Sequence, residues 1–293
     1  MAEIVFADTG GRVHAIKSDG SELGGWPVKA ETLPFLDAAK GNHANAPAFS
    51  GSGSGTLDPA RNTPVGATAA VGDLDGDGKP EVVVATWFGT VWAWHTDGSV
   101  AAGCPVELGR DTVPGAKDEN HELQDGFFAS PALVDLDGDK KLEIVAAGMD
   151  GKLYVWHGDG SRAAGFPIIV ADPTGSPQQR QRIMGSPAVG DLNGDGTPDI
   201  VVGSNEDYSN VGRLYAVDGK SGAFLPGWPL SVVSNHILPV VGKGVPCAPA
   251  MADVDGDGVP EVLVSGIGSV LHVYDAHGKA FGPPLVNVKD KYG

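Results

Sequence analysis

Short apolar runs, separated by polar turns rich in glycine, recur along the whole chain in a fixed order. Each repeat has a run of small residues, an acidic turn, a β-branched run, an aromatic run and a Gly-x-Pro segment. Runs of this length, with β-branched and aromatic residues bounded by glycine and proline, are typical of strands. The pattern therefore predicts an all-β chain with four short antiparallel strands in each repeat.

The four strands of each repeat align when the acidic turns are superimposed. The first strands are predicted at 67–71, 129–134, 185–189 and 248–252. The second strands are predicted at 81–85, 143–147, 199–202 and 261–264. The third strands are predicted at 91–94, 153–156, 214–217 and 271–274, and the fourth begin at Gly103, Gly165, Gly227 and Gly282. Repeated four-stranded units predict the blades of a β-propeller, whose crowded axis suits small first strands.

The N-terminal residues match only the last three strands of a repeat. Residues 3–7 align with the second strand, 13–16 with the third and 25–27 with the fourth. We therefore predict a single propeller domain or fragment over 1–293. Its blades are predicted at 3–29 (partial), 66–108, 128–170, 184–233 and 246–288. The segments between blades are expected to be loops, where binding functions usually reside.

The acidic turn keeps one pattern in every complete repeat. We name its copies acidic loop A (73–81), B (135–143), C (191–199) and D (253–261); they recur at intervals of 56 to 62 residues. Acids at positions 1, 3, 5 and 9, with a backbone carbonyl at position 7, can converge on one ion if the chain curls around it. An all-oxygen set favours Ca²⁺, and the absence of Cys and His from these positions argues against zinc or copper.

The sequence thus predicts up to four Ca²⁺ sites, one in each loop. The predicted ligands are Asp73, Asp75, Asp77, Lys79 and Glu81 in loop A; Asp135, Asp137, Asp139, Lys141 and Glu143 in loop B; Asp191, Asn193, Asp195, Thr197 and Asp199 in loop C; and Asp253, Asp255, Asp257, Val259 and Glu261 in loop D. Lys140 replaces a glycine in loop B and Asn193 replaces an acid in loop C, so both sites are expected to be weaker. The alternative is a solvated acidic turn that binds nothing, and four copies in one register disfavour it.

Composition narrows the classes of partner. The formal net charge is −17, and fifteen of the 37 acids lie in the four loops, so four bound dications would leave −9. No stripe of Lys and Arg is present to neutralise phosphates, so nucleic-acid binding is not expected. No apolar run is long enough to enter a membrane and no signal peptide is recognised. Weak calcium loops suit calcium-rich surroundings, so we expect an extracellular or cell-surface location. Cys104 and Cys247 are predicted to be buried free thiols.

The four Asp-x-Asp-x-Asp-Gly-type loops, the Pro-Ala-x-x-Asp strands before them and the Gly-Trp-Pro strand ends resemble the FG-GAP or VCBS repeats of integrin-α-type β-propellers. The resemblance covers nearly all of 3–288 outside the linkers. It implies ions between the first and second strands, on the underside of the ring, and ligands on the opposite face. On that face it implies contacts from Trp87, Phe88, Arg110, His121, Glu122 and Phe127, the alternative for Phe127 being core packing. Trp26, Trp94, Trp156 and Trp228 are expected to pack in the core.

Three functions are consistent with these observations. The first is a non-catalytic, calcium-stabilised binding module that recognises a glycan or a protein through its inter-blade loops. The second is a polysaccharide lyase, which needs a base and cationic clamps around one pocket; the bases in the linkers are few and scattered. The third is a structural spacer. His121-Glu122 begins like a zinc-protease motif, but the second His is missing. The sequence favours the binding module and does not indicate an oligomeric state.

Overall fold

The computed structural model describes residues 3–8, 10–30, 65–108, 126–170, 181–206, 211–233, 243–266 and 271–282. Within these ranges every regular element is a β-strand. No helix in the described part of the chain is long and apolar enough to cross a membrane. The predicted all-β class is therefore confirmed.

The strands form a series of antiparallel sheets, and we name each blade after the acidic loop that it carries. The N-terminal blade has β1 (Ile4–Ala7), β2 (Arg12–Ile16) and β3 (Val28–Lys29). Blade A has β4 (Ala70–Gly72), β5 (Glu81–Ala85), β6 (Thr90–Trp94) and β7 (Val106–Glu107). Blade B has β8 (Ala132–Val134), β9 (Glu143–Ala147), β10 (Lys152–Trp156) and β11 (Ile168–Ile169).

Blades C and D follow, together with three short strands that the sequence did not predict. The strands in chain order are β12 (Gln181–Arg182), β13 (Ala188–Gly190), β14 (Asp199–Gly203), β15 (Asn205–Glu206), β16 (Val211–Asp218), β17 (Leu230–Val233), β18 (Lys243–Gly244), β19 (Ala250–Ala252), β20 (Glu261–Ser265) and β21 (Leu271–Tyr274). Blade C is the sheet β13-β14-β16-β17 and blade D is β19-β20-β21, while β12, β15 and β18 form a separate small sheet. The fourth strand predicted for blade D begins at Gly282, and the residues that follow lie outside the described ranges.

The second strand of each complete blade is buried on both faces, which explains its unbroken apolar run. In β5, Val82 and Val84 pack with Val13 of the N-terminal blade, whereas Val83 and Ala85 pack towards blade B. Because successive side chains of a strand point to opposite faces, one strand contributes to two inter-blade cores. The described blades therefore stack face to face in chain order.

The first strands of neighbouring blades lie side by side. The Ser130 Oγ accepts a hydrogen bond of 2.9 Å from the Thr68 backbone N–H, and the Ser186 Oγ accepts one of 2.9 Å from the Ser130 N–H. A Cβ atom on Gly72 would lie 2.5 Å from Leu142 Cδ1 of blade B. This crowding confirms why the first strands are made of small residues.

The Gly-x-Pro segments join the outer edge of one blade to the next. A Cβ atom on Gly25 would lie 1.9 Å from the carbonyl oxygen of Asp97, and one on Gly103 would lie 1.7 Å from that of Asp159. The indole N–H of Trp26 donates to the Thr96 carbonyl at 2.9 Å. The four tryptophans that were expected to pack in the core are all buried, namely Trp26, Trp94, Trp156 and Trp228.

Candidate metal centres in the acidic loops

All four acidic loops lie between the first and second strands of their blades and curl around their own carboxylates. In loop A, Asp73 at position 1 accepts the backbone N–H groups of Gly76 at 2.7 Å and Gly78 at 2.9 Å. The same two bonds recur at Asp135, Asp191 and Asp253. The predicted curl is therefore present in each loop, and in loops A and B it brings the acids of positions 1, 3 and 5 together.

The curl requires left-handed backbone at positions 4 and 6. Gly76 and Gly78 have φ of 80° and 82°, which glycine adopts without steric cost. Lys140 occupies position 6 of loop B with φ of 72°. This conformation costs a residue with a Cβ roughly 1–2 kcal/mol, so loop B keeps the shape of the other loops at the expense of local strain.

The residue at position 2 of the loop links the loop to the next blade. Leu74, Leu136 and Leu192 are buried, in cores that join blade A to B, B to C and C to D respectively. Val254 occupies the same position in loop D and is 47% exposed. An interaction that fixes the shape of one of loops A to C therefore also holds its leucine in the core between two blades.

The acid at position 9 is buried in all four loops, since Glu81, Glu143, Asp199 and Glu261 open the buried second strands. One oxygen of each accepts the backbone N–H of the residue at position 2 at 2.7–2.9 Å. In loop C the other oxygen, Asp199 Oδ1, is buried with no hydrogen-bond partner among the described residues. Burial raises the pKa of Asp199 to about 6, and the nearby Asp195 and Asp218 carboxylates add to the rise.

A buried carboxylate oxygen without a partner is costly unless a cation faces it. The charged groups beside Asp199 are the carboxylates of Asp195 and Asp218, whose oxygens a hard divalent cation prefers. The exposed acids of the loops differ: hydrogen bonding from the Lys79 N–H and then from its ammonium lowers the pKa of Asp77, and the Thr197 N–H lowers that of Asp195. The residues of the loops therefore fit a calcium ion on chemistry and charge.

Two histidines that the sequence analysis did not assign to the loops lie beside position 9. In blade A the Nδ1 atom of His95 lies 2.9 Å from Glu81 Oε1, and in blade B that of His157 lies 3.2 Å from Glu143 Oε1. Burial raises the pKa of Glu143, and the hydrogen bond to His157 opposes that rise. Each histidine follows the third strand directly across from position 9 in the sheet register. The repeated Trp-His pairs at 94–95 and 156–157 were the signal that could have revealed them.

Five groups among the described residues bring three ligand atoms within 4.8 Å of one another: three are acidic and two contain a histidine. The acidic sets are Asp73, Asp75 and Asp77; Asp135, Asp137 and Asp139; and Asp253, Asp255 and Glu261. The histidine sets are Asp75, Glu81 and His95, and Asp137, Glu143 and His157. No histidine occupies a ligand position within the loops themselves. In blades A and B, however, the end of the third strand brings one beside position 9 across the sheet.

The family resemblance assigned six residues to ligand binding on the face opposite the acidic loops, and the structure describes three of them. Trp87, in the turn between β5 and β6, is half-buried and stacks on Phe128 with ring centroids 4.8 Å apart. Phe127 is fully buried, edge-on to Tyr154, and Phe88 is also buried. The expectation that Phe88 and Phe127 contact a ligand is therefore corrected, since both rings fill the core. Arg110, His121 and Glu122 lie outside the described residues.

Both cysteines are free thiols, as expected, but they differ in exposure. Cys104 is half-buried, and burial raises its pKa to about 11. Cys247 is exposed, so the prediction of burial is wrong for that residue, which lies just before the first strand of blade D.

Comparison with protein families and curated sequences identifies the repeat. A family profile described as FG-GAP-like repeat matches residues 135–202 and again 191–264, and one described as FG-GAP repeat matches 65–94. Human integrin alpha-7 is 27% identical over 243 residues, which cover 75% of this chain and 19% of that protein. Mouse integrin alpha-7 is 26% identical over 188 residues, covering 59% of this chain and 15% of that protein. The chain thus spans about a fifth or less of the length of these relatives.

Solved structures share the architecture at low sequence identity. Quinohemoprotein alcohol dehydrogenase from Comamonas testosteroni has a TM-score of 0.59 and 14% identity, over 97% of this chain and 41% of that one. Saccharomyces cerevisiae Sqt1 has a TM-score of 0.55 and 14% identity, over 97% of this chain and 59% of that one. At such identities the likeness concerns the fold alone, and together with the four-stranded sheets it establishes the β-propeller class.

Proposed function

Since the chain is built from FG-GAP repeats, we propose that it is a non-catalytic binding module of an extracellular or cell-surface protein. Its blades are stabilised by up to four Ca²⁺ ions, one in each acidic loop. Its ligand is a protein or a glycan, which binds the face opposite those loops. The observation that carries the calcium part is Asp199 Oδ1, buried at a loop of carboxylates without a partner among the described residues.

The stabilising role follows from the position of the loops in the fold. Each of loops A to C holds a buried leucine in the core that joins its blade to the next. An ion that draws together the carboxylates of a loop also holds that leucine in place. Calcium therefore acts on the packing between blades as well as on one turn, and its removal is expected to loosen several interfaces together.

Thermal unfolding with calcium titration tests this role. We expect excess Ca²⁺ to raise the melting temperature of chelator-treated protein in a saturable manner, with up to four equivalents bound by calorimetry. The Asp191→Asn variant removes position 1 of loop C and should lose about one equivalent. The Asp19→Asn variant changes an acid in a turn of the N-terminal blade, outside the acidic loops, and should lose none. If added Ca²⁺ leaves the melting curve of verified metal-free protein unchanged, the proposal is contradicted.

The stacked pair Trp87 and Phe128, which is only partly buried, supports the proposal that the ligand binds this face. Aromatic faces contribute large contact areas in recognition of both sugars and peptides, and a rigid scaffold holds this pair in place. The linker residues Arg110, His121 and Glu122 belong to the same proposal. A catalytic alternative, cleavage of an acidic polysaccharide, requires a base and cationic groups around one pocket.

A glycan array and a protein-ligand array, each probed with and without chelator, test the binding role. Saturable binding that needs calcium and is weakened in Trp87→Ala supports the proposal. Phe281→Ala is the matched control, because Phe281 is an exposed aromatic residue at the outer edge of blade D. Degradation of an acidic polysaccharide, measured by the absorbance of its unsaturated products, would indicate a lyase and contradict the non-catalytic binding module. Absence of any ligand on both arrays would favour a spacer.

A further inference from the structure

The residue that faces position 9 of the acidic loop differs between blades. It is His95 in blade A and His157 in blade B, whereas Asp218 and Asp275 hold the same register in blades C and D. Imidazole nitrogen is a poor ligand for calcium but a good one for Zn²⁺, Co²⁺ and similar ions. Loops A and B therefore offer a metal ion both nitrogen and oxygen ligand atoms, whereas loops C and D offer oxygen alone.

The distances in blades A and B suit one ion shared by the histidine and its neighbours. Ligand atoms at about 2.0–2.2 Å from a four- or six-coordinate ion lie roughly 2.9–3.5 Å from one another. His95 Nδ1 lies 2.9 Å from Glu81 Oε1, and His157 Nδ1 lies 3.2 Å from Glu143 Oε1. Asp137 Oδ2 lies 3.9 Å from His157 Nδ1, so a small movement completes the set.

The surroundings hold these ligands in place and leave room for the ion. The second oxygen of each glutamate accepts a backbone N–H, from Leu74 at 2.9 Å or from Leu136 at 2.7 Å, which fixes the carboxylate as an outer-shell partner does in metal sites. Both histidine sets open into one cavity of about 330 Å³ between blades A and B. Water in that cavity can fill the remaining coordination positions.

We propose that His95 with Asp75 and Glu81, and His157 with Asp137 and Glu143, each bind a divalent transition metal ion of the Zn²⁺ or Co²⁺ type. On binding, the imidazole proton lies on Nε2 and the Nδ1 lone pair ligates the ion. The inference rests on the proposed cation-binding loops, because it uses two carboxylates of loop A and two of loop B. In these two loops the ion competes with Ca²⁺ for the shared carboxylates, whereas loops C and D bind Ca²⁺ alone. It adds to the calcium proposal a second class of metal ion and a histidine ligand. It also distinguishes blades A and B from blades C and D by the metal that each pair binds.

Titration of metal-free protein with Co²⁺ tests the inference. We expect two equivalents that survive an excess of Ca²⁺, and X-ray absorption at the cobalt edge should show imidazole scattering. The double variant His95→Asp/His157→Asp gives blades A and B the residue that blades C and D already carry, so the fold should be kept. In it, cobalt affinity at both sites should fall by about tenfold or more. The control Asp218→Asn/Asp275→Asn should keep both cobalt equivalents.

Parallel calcium titrations separate the failure of this inference from failure of the proposed function. If Ca²⁺ binds all four loops while Co²⁺ shows no imidazole ligand or is unaffected by the histidine substitutions, the inference is wrong and the calcium proposal stands. If neither metal binds, both are wrong. If cobalt binds equally well in the Asp218→Asn/Asp275→Asn variant and is lost in the histidine variant, the division between blades is established.

Discussion

Replacing Leu192 with alanine tests whether the acidic loops hold neighbouring blades together. Leu192 is fully buried at position 2 of loop C, in the core shared by blades C and D. Its backbone N–H donates to Asp199 Oδ2 at 2.9 Å, so the side chain and the loop are positioned together. Leu→Ala changes at buried sites cost about 2–5 kcal/mol through lost contacts and the cavity left behind. We expect a loss of about 3 kcal/mol in excess calcium.

The matched control is Val254→Ala, which changes the same loop position in blade D. Val254 is 47% exposed, and substitutions at such sites usually alter stability by less than about 0.5 kcal/mol. Stability is measured by urea unfolding, followed by tryptophan fluorescence and by circular dichroism. Equal losses for the two variants would refute the argument that the leucine works as an anchor between blades.

Repeating both measurements in chelator tests the coupling to the ion. If calcium fixes loop C, then removing it already loosens Leu192, so the alanine substitution should cost less in chelator than in calcium. A difference of about 1 kcal/mol or more measures this coupling in the manner of a double-mutant cycle. Identical costs in the two conditions would show that the loop keeps its shape without an ion.

Three further changes test other parts of the structure. In metal-free protein the folded state holds a proton on Asp199 up to pH about 6, above the ordinary value of 3.8, so stability should fall as pH rises through that window. Asp199→Asn should make the fall smaller without abolishing it, because burial also raises the pKa of Glu143. A flat profile for the unsubstituted chain would contradict the burial argument. Gly103→Ala should destabilise by about 2 kcal/mol or more in urea, because its Cβ would overlap the backbone of blade B, whereas Gly24→Ala, whose Cβ meets nothing within 4 Å, should be close to neutral. At pH 8 a thiol reagent should modify Cys247 rapidly and Cys104 only on unfolding, since burial raises the Cys104 pKa to about 11; two fast thiols would refute the placement of Cys104.

Much of the fold was predictable because each strand type has its own local cause. The second strands were predicted from their β-branched runs, which arise because these strands are buried on both faces. The first strands were predicted to lie near the axis from their small residues, which arise because neighbouring blades crowd them. The small sheet β12-β15-β18 was not predictable in this way. Its strands have two residues each and come from segments far apart in the chain, so no local pattern marks them.

The candidate site was predictable in its loops and not in its cross-strand partners. Asp73 and its equivalents follow from spacing, because the ligands of one ion lie within nine consecutive residues. His95 and His157 reach the loops through sheet register, which places residues fourteen apart in sequence side by side. The burial of Phe127 was left open by the sequence, since an aromatic residue at a strand boundary suits a core and a surface equally well.

The glycine contacts at the outer edge of the blades have a consequence for how such chains change length. Blades A, B and C each carry both halves of the joint: a Gly-x-Pro segment that docks onto the following blade and a tight turn that receives the preceding one. Duplicating or deleting a whole repeat therefore brings together two surfaces that already match. A gained or lost unit would therefore keep the contact between glycine and turn on both sides of the new junction.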